Sequence, residues 1–173
     1  ELARRFGLPK WQFTLSATDA NRAALRVARA MTGRSRVLVF DGKYHGSIDE
    51  LHLVLDESGT PQQLPGVHGL GVDFARTTAI VPFNDINALR AELERGDIAA
   101  VLTEPALSNG ALMLPDPDFH DELRRLTREH GALLILDEAQ TIVAGHRGLT
   151  GEWGLEPDIL TLGKSFGGGV PVG

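Results

Sequence analysis

Apolar and polar positions along the chain follow two different periods. Ala20, Ala23, Ala24, Val27, Ala28 and Met31 recur at helical spacing, with Thr18 as a natural N-cap before them and Gly33 as a stop signal after them. Immediately beyond, Arg36-Val37-Leu38-Val39-Phe40 is short, β-branched and bounded by Gly42, which predicts a buried strand. Residues 56–76 are rich in Gly, Pro, Gln and Asp without periodicity and are expected to form a loop. Strand and helix then alternate, with strands over 78–81, 99–103, 133–136 and 159–162 and helices over 85–95 and 119–129. Apolar strands separated by amphipathic helices predict an α/β fold, a three-layer αβα arrangement with a mostly parallel central sheet.

Ligands of such sheets gather beyond the carboxyl ends of the strands. Polar residues fall there repeatedly: Tyr44 and His45 after the strand ending at Phe40, Glu104 after 99–103, Asp137 after 133–136, and Lys164 after 159–162. Each alone is ordinary capping or surface charge; their joint placement is what points to a site.

Composition narrows the partners. Seventeen Lys and Arg against 23 Asp and Glu give a net charge of −6 with no basic block, so nucleic acid is not an expected partner. The chain has no cysteine, which removes disulfides and thiolate metal sites. Its longest apolar run, from Ala132 to Leu136, is too short to span a bilayer, and a soluble, cytoplasmic protein is expected. Asp116, Asp118 and His120 fit turn and helix-start positions, and His45 has no second ligand at a metal-binding spacing, so no metal is expected. The 173 residues suffice for one core, and the chain is expected to be a piece of something longer, since it lacks an initiator Met and stops at Gly173 within a glycine-rich stretch.

Lys164 stands in Leu162-Gly163-Lys164-Ser165-Phe166-Gly167-Gly168-Gly169, an apolar, glycine-rich setting. Desolvation disfavours an ammonium ion, which is how an amine becomes nucleophilic enough to hold an aldehyde as a Schiff base. Gly163-Lys164-Ser165 also matches the end of a phosphate-binding P-loop, but that motif needs glycine five residues before Gly163, where Asp158 stands. Asp137 is suited to keeping a heteroaromatic ring nitrogen protonated, the other half of an electron sink. Its neighbour Glu138 either pairs locally or faces solvent. Ser16-Ala17-Thr18 opens the first helix with amides and hydroxyls that either bind a phosphate dianion or simply cap the helix. Tyr44, the only tyrosine, either stacks on a planar ligand or packs on the sheet rim.

Taken together these residues resemble the class III, ornithine/acetylornithine type, pyridoxal-phosphate aminotransferases of fold type I, a family that includes glutamate-1-semialdehyde aminomutase. Ser16-Ala17-Thr18-Asp19-Ala20 resembles S-G-T-E-A, Tyr44-His45-Gly46 follows, Leu136-Asp137-Glu138-Ala139-Gln140-Thr141 resembles L-D-E-V-Q-T, and Pro157-Asp158-Ile159-Leu160-Thr161-Leu162-Gly163-Lys164 completes the order. The resemblance implies pyridoxal 5'-phosphate as cofactor, Lys164 as Schiff-base lysine and proton shuttle, and Asp137 as partner of the pyridine nitrogen. It implies a phosphate loop of Ser16, Ala17 and Thr18, ring stacking by Tyr44 with His45 beside it, and Gln140 on the ring hydroxyl. Glu104, in Thr103-Glu104-Pro105, matches the family's E-P near the active site, with Asn109 a weaker match nearby.

The implied activity is transfer of an amino group from an amino acid or amine to a keto acid or aldehyde. An aminomutase that shifts the group within one substrate is the first alternative, with Gln140 leaning toward the aminotransferases. A non-catalytic fragment or regulatory module is the second. The resemblance further implies that residues 1–173 are the incomplete large domain of a homodimeric enzyme, inactive in isolation because small-domain segments lie outside it. Three departures stand out: Ala17 for the usual glycine, Ile142 where glycine often follows Q-T, and Ser108-Asn109-Gly110 after E-P.

Overall fold

The computed structural model describes residues 1–69, 71 and 73–173. In chain order its elements are α1 (Leu2–Phe6), α2 (Ala17–Thr32), β1 (Arg36–Phe40), β2 (Leu53–Leu55), β3 (Pro61–Gln63), α3 (Phe74–Thr77), β4 (Thr78–Val81), α4 (Ile86–Leu93), β5 (Ile98–Thr103), α5 (Phe119–Glu129), β6 (Leu133–Asp137), α6 (Gly148–Glu152) and β7 (Ile159–Thr161). Five strands form one sheet in the order β4-β1-β5-β6-β7, every neighbouring pair parallel.

Because side chains alternate along a strand, each central strand feeds two separate cores. Leu38, Phe40, Val101, Leu134 and Leu136 point to one face, where α4 and α5 supply Leu89, Leu93, Phe119, Leu123 and Leu126. Val37, Val39, Ala100, Leu102 and Ile135 point to the other, against Ala24, Leu25 and Ala28 of α2. This is the three-layer αβα arrangement that the alternating pattern predicts. Among the described residues no helix is long and apolar enough to cross a membrane.

Several boundaries differ from the sequence expectation. The N-cap of α2 is Ser16, whose Oγ accepts the Asp19 amide at 3.2 Å, while Thr18 lies inside the helix and its hydroxyl accepts the Ser47 amide at 3.3 Å. Residues 56–76 are not all loop: β3 pairs antiparallel with β2, placing Leu53 opposite Gln63, and α3 leads into β4. The hairpin is turned by Asp56, whose Oδ1 accepts the amides of Ser58 and Thr60, both at 2.9 Å. Its second strand, Pro61-Gln62-Gln63, is fully exposed and carries no apolar side chain to betray it. Asp85 caps α4 from outside, accepting the Ala88 amide at 2.9 Å, rather than forming its first residue.

Asp158, whose presence removes the P-loop reading, has a structural task. Its carboxylate accepts both Arg124 nitrogens of α5 (2.7 and 2.8 Å) and the Leu134 amide of β6 (2.8 Å). Burial alone raises this carboxyl, but the Arg124 and Leu134 bonds outweigh it and hold it below the usual range. A depressed folded-state value contributes stability above the unfolded value that is lost as pH falls through the folded one. Asp158→Ala is therefore expected to cost about 1 kcal/mol at neutral pH after solvent screening, in urea unfolding. The difference from wild type should begin to shrink as pH falls to about 4, the unfolded value, and be lost as pH passes through the lower folded one.

Candidate active site

A cavity of about 310 Å³ opens at the carboxyl edge of the sheet, lined by Ser16, Ala17 and Thr18 at the start of α2, Tyr44 and His45 after β1, Asp137 at the end of β6 and Lys164 after β7. Parallel strands in the order β1-β5-β6-β7 bring these ends to one side. Val170, Pro171 and Val172 complete the wall, because the segment after Lys164 folds back. There Thr14 and Gly173 exchange backbone hydrogen bonds at 2.8 and 3.0 Å. A larger groove of about 610 Å³ between residues 8–14, α2 and β7 is mainly apolar and gathers no comparable set of polar groups.

Asp137 is the most elaborately held side chain in the cavity wall. Its Oδ2 accepts Asn21 Nδ2 and His45 Nδ1, each at 2.8 Å, and its Oδ1 accepts the Ala139 amide at 2.9 Å. Asn21 also donates to the His45 carbonyl at 3.1 Å and accepts the Thr161 hydroxyl at 2.7 Å. Burial would raise the Asp137 carboxyl; the hydrogen bond and charge of His45, with the Ala139 and Asn21 amides, reverse this and keep it below the ordinary carboxylate range. The result is a buried carboxylate that stays ionised. Two hydrogen bonds occupy Oδ2, whereas Oδ1 receives one and retains acceptor capacity.

At the other end of the cavity the N-terminus of α2 is wrapped by glycines. A Cβ at Gly46, whose φ is +89°, would lie 2.9 Å from Thr18 Cα; one at Gly163 would lie 2.6 Å from Ala17 Cβ; and one at Gly173 would lie 2.7 Å from the Ala17 nitrogen. The Cβ that Ala17 adds to the usual glycine pattern is accommodated against Gly163. Among the described residues nothing accepts the amides of Ala17 and Thr18, which sit at the positive end of a 16-residue helix. Ser16 Oγ is itself engaged with Asp19 Oδ2 at 2.8 Å.

Lys164 lines the cavity but is exposed, not enclosed as its apolar neighbours suggest. Its φ of 49° lies in the left-handed region that side chains other than glycine seldom adopt, a local strain of the kind that clusters at functional positions. Tyr44 is also exposed, and so is available to a planar ligand. Before it, Lys43 donates to the Leu53 carbonyl, and burial, partly offset by Asp41, lowers that amine to about 8.

Glu104 and Gln140 do not line this cavity. Glu104 is buried at the end of β5, where Ser108 Oγ donates to Oε2 and Oε1 has no partner among the described residues. Burial pushes its carboxyl up, the Ser108 bond and the His45 charge oppose the shift, and Asp137 adds to it. Ser108, in the unusual Ser108-Asn109-Gly110 segment, thus has a definite partner, whereas Asn109 only turns back through its carbonyl to Ala111. Gln140 precedes a 3-10 turn over Thr141–Ala144. Ile142 within that turn packs with Phe6 and Leu162, which accounts for an apolar residue where glycine is common. Glu138 does not face solvent: it is fully buried, accepting the Thr141 hydroxyl at 2.5 Å and the Thr150 amide. His120 Nε2 donates to the Pro105 carbonyl at 2.7 Å, and among the described residues no group of three or more His, Asp or Glu side chains is placed to hold a metal ion.

Sequence reasoning passed over Asn21 and Thr161. Asn21 looks like one polar residue on an amphipathic helix, and its partners are all remote along the chain, 24 residues away at His45, 116 at Asp137 and 140 at Thr161. The available signal was an amide on the face otherwise lined by Ala24, Leu25 and Ala28.

A family model described as Aminotransferase class-III matches residues 1–173. The chain is 39% identical over 166 residues to glutamate-1-semialdehyde 2,1-aminomutase of Archaeoglobus fulgidus, an alignment covering 94% of this chain and 39% of that protein. The crystal structure of a glutamate-1-semialdehyde-aminomutase from Pseudomonas aeruginosa PAO1 superposes with a TM-score of 0.97 at 52% identity over 99% of this chain and 38% of that one. A lysine-to-alanine variant of the Pseudomonas enzyme is known in complex with PMP (TM-score 0.96, 51% identity, 99% of this chain and 38% of that one). An omega-transaminase from Sphaerobacter thermophilus matches at 34% identity with a TM-score of 0.89 over 99% of this chain and 41% of that one. The chain therefore spans about two fifths of the length of these relatives.

Proposed function

The chain belongs to the class-III aminotransferases, and from that premise we propose that it is the cofactor-binding region of an enzyme that moves an amino group within one substrate, an aminomutase of the glutamate-1-semialdehyde type. The cofactor is pyridoxal 5'-phosphate. The observation that carries the reading is the joint lining of one cavity by Lys164, the ionised Asp137 and the bare amides of α2. A phosphate suits two free amides at a helix N-terminus, a pyridinium suits a buried carboxylate, and an aldehyde suits an accessible amine.

When bound, pyridoxal phosphate supplies an aldehyde that condenses with amines and a ring that withdraws the electrons left when a proton departs from the carbon bearing the amino group. Ala17 and Thr18 would bind the phosphate through their amides, with the Thr18 hydroxyl beside them. Asp137 would keep a ring nitrogen protonated, and its Oδ1, with one hydrogen bond against two on Oδ2, is the oxygen with acceptor capacity left. Tyr44, exposed in the cavity wall, would orient the ring by stacking. Lys164 would hold the cofactor's aldehyde through Nζ, and the same amine, when free, would be the group that accepts and returns a proton. Glu104 and Gln140 act from outside the cavity, Glu104 through the Asp137 and His45 environment to which it is electrostatically coupled. The same proposal includes a homodimer, supported by the adjoining exposed apolar residues Leu112, Met113 and Leu114.

Aminomutase is preferred to aminotransferase because the relatives at 38–42% identity and the solved structure at 52% carry that name. Gln140 and the 34% match to an omega-transaminase are the observations favouring transfer between two substrates. Supplying the purified whole enzyme, of which this chain is the cofactor-binding region, with glutamate 1-semialdehyde alone separates them. The expected result is conversion to the isomer with its amino group moved from carbon 2 to carbon 1 without any added keto acid. Turnover that appears only when an external keto acceptor is present would make the protein an aminotransferase instead, and cofactor uptake without either reaction would leave a non-catalytic binding module.

A further inference from the structure

Asn21 lies near the start of α2, on a buried side otherwise made of Ala24, Leu25 and Ala28. A carboxamide in such a place is costly unless its polar atoms are paired. All of them are. Both Nδ2 hydrogens have acceptors, Asp137 Oδ2 at 2.8 Å and the His45 carbonyl at 3.1 Å, and Oδ1 takes the Thr161 hydroxyl at 2.7 Å. Because an ionised carboxylate only accepts, the amino side of the carboxamide must face Asp137, which leaves the carbonyl side for the hydroxyl of Thr161. Asn21 thereby ties together α2, the loop after β1, the end of β6 and β7, the four elements that also carry the cavity lining.

Resting on the functional reading above, we propose that Asn21 is a positioning residue for the cofactor ring: oriented by Thr161, it fills Oδ2 of Asp137 and so dedicates Oδ1 to the ring nitrogen. His45 fills Oδ2 from the other side, but its own carbonyl is held by Asn21, so the carboxamide fixes both partners of the pair. The titratable groups around Asp137 are His45 in contact, Lys164 across the cavity, Glu104 at the end of the neighbouring strand, and Glu138, which is turned toward Thr141 and Thr150. His45 already donates to Oδ2 on its own account, and none of the others supplies a second donor in place of Asn21.

The test is pyridoxal phosphate binding by the purified protein as a function of pH, in wild type, N21L, T161V and the double variant, with the thermal midpoint of each cofactor-free protein measured alongside. The Asn21 bond favours ionised Asp137; without it the carboxylate protonates at higher pH, so the acid limb of binding must move upward. N21L is expected to weaken binding about tenfold at neutral pH and to raise the acid limb by about one unit, the size of one hydrogen bond to a charged group. T161V should shift the limb in the same direction by less, and add nothing in the N21L background, because Thr161 acts through Asn21. An acid limb that stays at the wild-type pH overturns the proposal even where the thermal midpoint falls, and so does additivity in the double variant. Should N21L fail to fold, the limb of T161V alone decides in the same way. Wild-type protein that takes up no pyridoxal phosphate would instead overturn the functional reading, a result distinct from variants that bind with an unshifted limb.

Discussion

Lys164→Ala is expected to reduce turnover by more than about a thousandfold, since in the proposed mechanism one side chain both holds the cofactor aldehyde and carries the proton. The visible absorbance of the cofactor attached to the protein should disappear with it. Loss of fold does not explain such a result. Lys164 is exposed, and alanine keeps a Cβ at the same φ of 49°, so the strained backbone is neither relieved nor worsened. Urea unfolding of the cofactor-free variant should match wild type within about 0.5 kcal/mol. Lys164→Arg gives the complementary comparison: it retains a cation but not an amine able to add to an aldehyde, and should be as inactive as alanine. Wild-type turnover in either variant would remove Lys164 from the chemistry.

The largest expected loss of stability follows from Gly46→Ala. At φ +89° any side chain is strained, at a cost of about 1–2 kcal/mol. The new Cβ would also meet Thr18 Cα at 2.9 Å, and displacing a helix backbone adds an overpacking cost of about 1–3 kcal/mol. A total near 3 kcal/mol is a large part of the net stability of about 5–15 kcal/mol typical of a domain. Because Thr18 carries one of the two free amides, weaker pyridoxal phosphate binding should accompany it. Gly59→Ala separates the two contributions: its φ is +79° and nothing lies within 4 Å of the added atom, so only the conformational cost remains. Equal losses at the two glycines in urea unfolding would show that the contact with Thr18 is immaterial.

What could be read from the sequence tracks what depends on local pattern. Val37-Leu38-Val39-Phe40 and the run Leu133–Asp137 are buried on both faces, so continuous apolar character marks them as central strands without any knowledge of their neighbours. Lys164 and Asp137 were legible because strand ends can be located and their chemistry is distinctive. Failures occur where local signals were silent or shared. Pro61-Gln62-Gln63 pairs through its backbone alone. Ser16 and Thr18 are equally good caps by type, and the choice fell to Ser16 because the hydroxyl of Thr18 is taken by the loop after β1. Asn21 owes its meaning to burial and to partners as far away as Asp137 and Thr161, which no window along the chain contains, and Glu138 owes its meaning to burial, since its partners Thr141 and Thr150 are near in sequence. The exposed setting of Lys164 was missed for the same reason: apolar neighbours in sequence are not a lid in space.

The contact between Ala17 and Gly163 limits the order in which this site can change over evolution. The helix start and the residue before the reactive lysine have room for one methyl group between them, and it is on the helix. A side chain arriving at 163 meets that methyl, whereas glycine arriving first at 17 vacates the space. Exchange of the methyl between the two positions must therefore pass through the glycine pair, and with alanine at 17 the geometry alone restricts position 163 to glycine, whatever chemistry Lys164 performs.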